Sequence, residues 1–156
     1  MKLFVILLSL SLSLSASCST ANWLIKWDDK FQNDTLSISE FKCSAALAKL
    51  GPDPKHPPTK LGEVLNFPHF VAAPEAQTEC GSCWKLRYKG NHAFVTVVDR
   101  VEEANLFVGG TDLVKNLTTF NGAPEGYDWG TAQLFSAYQV DGSCCQQNTG
   151  KQCGDP

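Results

Sequence analysis

The chain has 156 residues and a mass of 17.0 kDa, a length that holds one domain built on one core. Hydrophobic residues make up 43% and charged residues 19%, which excludes a disordered tail and a membrane bundle. The net charge of -3 excludes a general binder of nucleic acid, and seven Cys against one Met suit an oxidising, secretory compartment.

The N-terminus reads as a signal peptide. Lys2 is a short basic start, and residues 3–14 (LFVILLSLSLSL) form an apolar run of 12. Spanning a bilayer takes about 20 apolar residues, so the run is too short for an anchor. Small residues offer cleavage before Cys18 or before Asn22. The second is favoured because it removes Cys18 and leaves six Cys, an even number. A lipid-modified Cys18 is disfavoured, since no Leu stands three places before it. The reading is therefore a signal peptide over 1–21 and one domain over 22–156, with a net charge of -4 once Lys2 is gone.

Residues 21–36 carry spaced aromatics (Trp23, Trp27, Phe31) and read as a strand and a turn. Ser37 and Glu40 have the spacing of a capping box ahead of a run rich in Ala and Leu, and Gly51-Pro52 stops it, which predicts a helix over roughly 39–50. Residues 51–58 (GPDPKHPP) hold four prolines and read as an exposed loop. Trp84, Leu86 and Tyr88 then alternate with Lys85, Arg87 and Lys89. After the Gly90-Asn91 turn comes the apolar run 93–98, so the pair is a hairpin whose second strand is buried on both faces. Residues 111–117 read as a short helix capped by Thr111. Asn121-Gly122 and Glu125-Gly126 break the chain, and residues 131–140 are the last strand. Several strands, two short helices and paired Cys describe a small disulfide-stapled barrel. Two sequons, at Asn33 and Asn116, are candidate glycosylation sites in a eukaryotic secretory pathway.

Cys80-Gly81-Ser82-Cys83-Trp84 is the most informative string. It matches the local signature of a papain-type nucleophile, but that chemistry needs a His and an Asn roughly 130–150 residues downstream. Only 73 residues follow Cys83, and His92 is the only His among them. A thiolate without a base is not an activated nucleophile. A redox CxxC needs its first Cys at a helix N-terminus, whereas a strand pattern follows here. Cys80 and Cys83 therefore read as structural, each bonded to a distant partner, and an oxidising compartment favours Cys partners over zinc. His56, His69 and His92 have no metal-ligand spacing and read as surface residues, so no metal and no cofactor are expected.

The order of these features resembles the cerato-platanin family of small secreted fungal proteins. The resemblance rests on Cys43 after an N-terminal strand, the stretch Pro58-Thr59-Lys60-Leu61-Gly62-Glu63-Val64-Leu65-Asn66-Phe67-Pro68 and the C-G-S-C-W string. It continues with Val98-Asp99, then Asn105, and closes with Tyr138-Gln139-Val140-Asp141 running into Cys145. It implies a mainly β fold, a six-stranded double-ψ β-barrel. It also implies the disulfides Cys43–Cys80 and Cys83–Cys145, which leave Cys144 for Cys153. Adjacent strand positions face opposite ways, which would aim Cys144 away from the barrel. The resemblance places a sugar-binding groove at Asp99, Asn105, Phe67, Pro68 and Ser82. Ala45-Ala46 and the segment 100–103 depart from the family pattern where that groove would lie, and the Pro-rich loop, Cys144 and Cys153 are additions.

For Asp99 two readings stay open: a groove carboxylate that accepts sugar hydroxyls, or a structural carboxylate that pairs with Arg100 or caps a turn. Trp84 reads as core, while Trp23, Trp27 and Trp129 are undecided between core and surface stacking. Glycoside hydrolysis typically needs two carboxyl groups; Asp99 stands alone at a motif position, and Glu102 and Glu103 read as a solvated turn. The function implied is a secreted, monomeric, non-catalytic protein that binds chitin-type oligosaccharide or cell-wall polysaccharide. It would act at a fungal wall, or on plant surface components as an elicitor of plant defence, with no nucleic-acid or membrane partner. An expansin-like or weakly polysaccharide-active enzyme is the alternative, and a protein that self-assembles at interfaces is a third.

Overall fold

The computed structural model describes residues 22–118, 130–146 and 153. The expected signal peptide with Cys18, the breaks at Asn121-Gly122 and Glu125-Gly126, and Trp129 lie outside the described residues. Among the described residues seven strands follow one another: β1 Leu24–Trp27, β2 Phe70–Pro74, β3 Cys83–Tyr88, β4 Asn91–Val101, β5 Leu106–Gly109, β6 Ala132–Gln133 and β7 Ser136–Val140. Two helices join them, α1 Ser44–Leu47 and α2 Thr111–Thr118.

The alternation in β3 and the apolar run in β4 give the expected antiparallel hairpin, in register from Cys83 opposite Thr96 to Tyr88 opposite Asn91. Strand β4 is buried without interruption from Val95 to Asp99, because it is paired on both edges and covered on both faces. It runs parallel to β2, and a register shift there leaves Val98 as the extra residue of a bulge. Asp99 therefore stands inside β4, beside Ala72, rather than at its end.

The strand order is β6-β1-β5-β2-β4-β3-β7. Its two edge strands are joined by only Leu134 and Phe135. The Leu134 N–H donates to the Trp23 carbonyl at 2.8 Å, and the Phe135 N–H to the Arg87 carbonyl at 2.8 Å. The single strand expected over 131–140 is thus broken, with β6 antiparallel to β1 and β7 antiparallel to β3. The fold is mainly β and the sheet is curled as expected, but it has seven strands rather than six, because the last segment is divided into β6 and β7. The break is required because one straight strand cannot pair with two edges that meet at a corner. Leu134 turns into the core at 4% exposure, while Phe135 is 77% exposed.

The helix expected over 39–50 is not continuous. Ser37 caps a 3-10 turn over Ile38–Glu40 by accepting from the Ser39 N–H, with no return bond from Glu40. Phe41 is extended (φ -105, ψ 140), and α1 starts only at Ser44. Burial of Phe41 against Phe31 (ring centroids 5.9 Å apart) outweighs the local helical preference. Thr111 is the first residue of α2 rather than its cap. The capping acceptor is Gln32 Oε1, from the 3-10 turn Asp29–Gln32, which receives the Asp112 N–H at 2.8 Å. The loop over 51–58 holds neither helix nor strand, as expected, although Pro58 is buried.

Three disulfides staple the chain, Cys43–Cys80, Cys83–Cys145 and Cys144–Cys153. The pairing is the one expected, but the geometric reason differs. Strand β7 ends at Val140, and Cys144 closes a 3-10 turn over Gly142–Cys144 with Cys145 next, so a turn and not strand alternation parts the two sulfurs.

Loop entropy ranks these links. Removing Cys83–Cys145, which spans 62 residues of sequence, should cost about 4 kcal/mol, and removing Cys144–Cys153, which spans 9, roughly 2.5 kcal/mol. Denaturant midpoints of the paired Cys→Ala variants check the order; a larger loss at Cys144–Cys153 would contradict it.

Candidate functional site

The carboxylate of Asp99 is buried, with its side chain 9% exposed. A buried charge must be paired and hydrogen-bonded, and three donors meet it. Lys30 Nζ donates to Oδ2 at 2.7 Å, and the N–H groups of Lys42 and Arg100 each donate to Oδ1 at 3.0 Å. Burial pushes the carboxyl up, but the Lys30 bond and the two backbone donors outweigh it, so the group is held below its ordinary value. The Lys30 ammonium is itself positioned over the rings of Phe31 and Phe41, 4.9 and 5.5 Å from their centroids. The pairing with Arg100 weighed from the sequence is not formed through side chains: the Arg100 guanidinium donates to the hydroxyl of Thr78 at 2.6 Å instead. The sequence reading missed Lys30. The only signal for it was the rule that a carboxylate in an apolar strand needs a cation.

Among the described residues, none of the other expected groove residues hydrogen-bonds to Asp99. Asn105 sits at φ 61 in the turn before β5, and its carbonyl accepts from the Leu24 N–H at 2.8 Å. Its Oδ1 is buried without a hydrogen-bond partner among the described residues. The β2–β5 register carries Asn105 past Pro74, beyond the C-terminal end of β2, whereas Asp99 lies beside the middle of that strand. Phe67 and Pro68 precede the opposite end of β2, joined by a cis peptide bond. Phe67 packs on Phe70 with centroids 5.8 Å apart, and Pro68 is exposed. Ser82 lies beside Val97, whose N–H donates to the Ser82 carbonyl at 3.0 Å. Its hydroxyl donates to the Glu79 carbonyl at 2.6 Å and accepts from Trp84 Nε1 at 3.0 Å. Gly81 has φ +78, which a side chain rarely adopts, and a Cβ there would also meet Ala46 of α1 at 3.4 Å. The Ala45-Ala46 departure is therefore a helical turn laid against the C-G-S-C string.

Trp84 is core as expected, packed with Trp23 and Phe107 at centroid distances of 5.7 Å each. Trp23 is half-buried in that cluster, and Trp27 is 44% exposed. Glu102 and Glu103 are exposed after Val101, and Glu103 lies 3.8 Å from Lys26. His56 is exposed and pairs with Asp53 at 2.6 Å, and His92 is exposed. His69, expected at the surface, is half-buried, and burial pushes its pKa down. Among the described residues no three His, Cys, Asp or Glu side chains gather as a metal site. Cys80 and Cys83 are bonded to different partners, so neither sulfur is a nucleophile or a redox pair with the other.

Comparison with known proteins agrees with this geometry. The family model for cerato-platanin matches residues 24–146. The crystal structure of cerato-platanin 5 from M. perniciosa is 99% identical, covers 87% of this chain and 100% of its own, and gives a TM-score of 0.80. Cerato-platanin 1 from M. perniciosa is 24% identical over 78% of this chain and 98% of its own, with a TM-score of 0.60. The solution structure of the fungal elicitor cerato-platanin is 22% identical over 78% and 95%, with a TM-score of 0.51. At such identities the last two show the fold alone. No curated protein matches the sequence.

Asp99 fixes an acid limit on stability. Its folded pKa lies below the unfolded value near 3.9, so its contribution is complete above about pH 4 and is lost as pH falls through the folded pKa. Asp99→Ala should cost about 2 kcal/mol near neutral pH, a moderate figure because Lys30 is 40% exposed. The gap between the melting curves of wild type and variant should narrow as pH falls below about 4 and through the folded pKa; a constant gap would show that the ion pair is not the cause. Unfolded but unreduced chain from residue 22 onward should show no free thiol by thiol titration; any thiol there would break one of the three assigned links.

Proposed function

The chain belongs to the cerato-platanin family, and from that premise we propose that it is a secreted, non-catalytic protein that binds chitin-type oligosaccharide. Its action would be that of an elicitor of plant defence or a fungal wall protein, and a solved relative of the same fold is described as a fungal elicitor.

The observation that carries the non-catalytic part is the state of Asp99. A glycosidase acid must hold a proton and stand opposite a second carboxyl group. Asp99 is held in its ionised form by Lys30, Lys42 and Arg100. The nearby Glu102 and Glu103 are exposed. An expansin-like lytic step with a lone Asp as acid meets the same obstacle. Binding does not. An ionised carboxylate has about four acceptor positions, and three are filled: two on Oδ1 and one on Oδ2. Among the described residues one position on Oδ2 is unfilled, and a charge-assisted bond from a hydroxyl there would contribute roughly 1.5 to 3 kcal/mol.

Chitohexaose titrated into wild type and Asp99→Asn tests both parts. The variant keeps the side-chain shape and should bind about tenfold more weakly, a loss near 1.4 kcal/mol. Neither protein should release reducing ends from chitin or cellulose. Equal affinities would take Asp99 out of the site. An absence of binding by wild type would refute the ligand, and released reducing ends would favour the enzymatic reading.

A further inference from the structure

A concave feature that Asp99 does not line lies between α2 and the β3–β4 hairpin. Its lining includes His69, His92, Phe94, Leu113, Asn116 and Leu117. Leu113 and Leu117 are buried on the inner side of α2, while Asn116 is exposed on the rim. His92 meets Phe94 edge to face, with centroids 5.6 Å apart and planes at 78°. Phe94 and the two leucines make the groove apolar, and the imidazoles give it polar edges, a combination suited to a sugar ring. The Asn116 amide makes no hydrogen bond among the described residues. It is also the acceptor of the sequon Asn116-Leu117-Thr118.

We propose that Asn116 is N-glycosylated and that the first N-acetylglucosamine of the glycan covers this groove, shielding His92 and Phe94. The donor is a lipid-linked oligosaccharide diphosphate. The Asn116 amide nitrogen attacks C1 of the reducing-end sugar. A C1–N bond forms while the C1–O bond to the diphosphate breaks. The lipid diphosphate leaves with that electron pair, and the amide proton passes to a base of the transferase. The sugar is then tethered at the rim, so its apolar face needs no separate binding event to reach the aromatic pair. Asn33, the other sequon, differs. It is exposed, but its Oδ1 already accepts from the N–H and hydroxyl of Thr35 at 3.1 and 2.7 Å, and it is not part of the groove wall. The inference rests on the secretory reading above.

The test is production of the full chain in a eukaryotic secretory host, once with residues 1–21 as leader and once behind a leader of the host. Peptide mass mapping should find an N-acetylglucosamine-bearing glycan on Asn116. Diethyl pyrocarbonate should then modify His92 several-fold more slowly in wild type than in Asn116→Gln, with His56 unchanged. Hydrolysis of the glycan–amide link, which leaves Asp at position 116, should restore the His92 rate, whereas an endoglycosidase that leaves the first N-acetylglucosamine in place should not. An unmodified Asn116 in secreted, disulfide-bonded chain would overturn the proposal, and so would equal His92 rates with the glycan present. A glycan obtained only behind the host leader would refute the secretory reading of 1–21 and leave the groove assignment standing.

Discussion

A negative charge sits within the wall of this barrel, and the first long connection is folded around it. Asp99 is in the middle of the sheet, beside Ala72 of β2. Lys30 and Lys42 come from the connection over 28–43, which precedes β2 by a long stretch of chain. A carboxylate in such a place costs several kcal/mol unless donors meet it. The connection supplies the donors and its own apolar groups together. Lys30 lies over Phe31 and Phe41, so the ion pair and the burial of two rings are one arrangement. Cys43 follows Lys42 and is bonded to Cys80, which holds the backbone donor at its place beside the sheet.

The same arrangement bears on function. The donors around Asp99 favour its ionised form, disfavour it as a proton donor and use most of its acceptor capacity. What is left is a positioned, nearly saturated carboxylate, which is better suited to accepting one hydroxyl than to moving a proton. The proposed binding role and the structural one are thus compatible for this residue. The bonds that make it structural also fix its orientation toward any ligand.

Closure of the barrel is the second constraint. An open sheet exposes two edges. Here the last segment of chain serves both, by breaking at Leu134 and Phe135 and pairing β6 with β1 and β7 with β3. The Cys83–Cys145 link then joins the start of β3 to the turn after β7, adding a covalent tie to that closing seam.

The hairpin of β3 and β4, the proline-rich loop, the burial of Trp84 and the structural role of Cys80 and Cys83 were legible in the sequence, because each depends on the pattern of a few neighbouring residues or on compartment chemistry. The disulfide pairing was legible through a family resemblance and not through spacing. Other features depended on partners far along the chain. Phe41 interrupts a helical pattern because Phe31 waits for it; Gln32 rather than Thr111 caps α2, from 80 residues away; Lys30 finds Asp99 from 69 away. The candidate site was hardest to read for the same reason. Asp99 lies beside the middle of β2 and Asn105 past its C-terminal end, while Phe67 and Pro68 precede its start. Local sequence specifies propensity and facing, which act over one or two turns of chain. Which donor satisfies a buried charge, and where a strand must break to close a ring, is decided only when distant segments compete for the same space and the same hydrogen bonds.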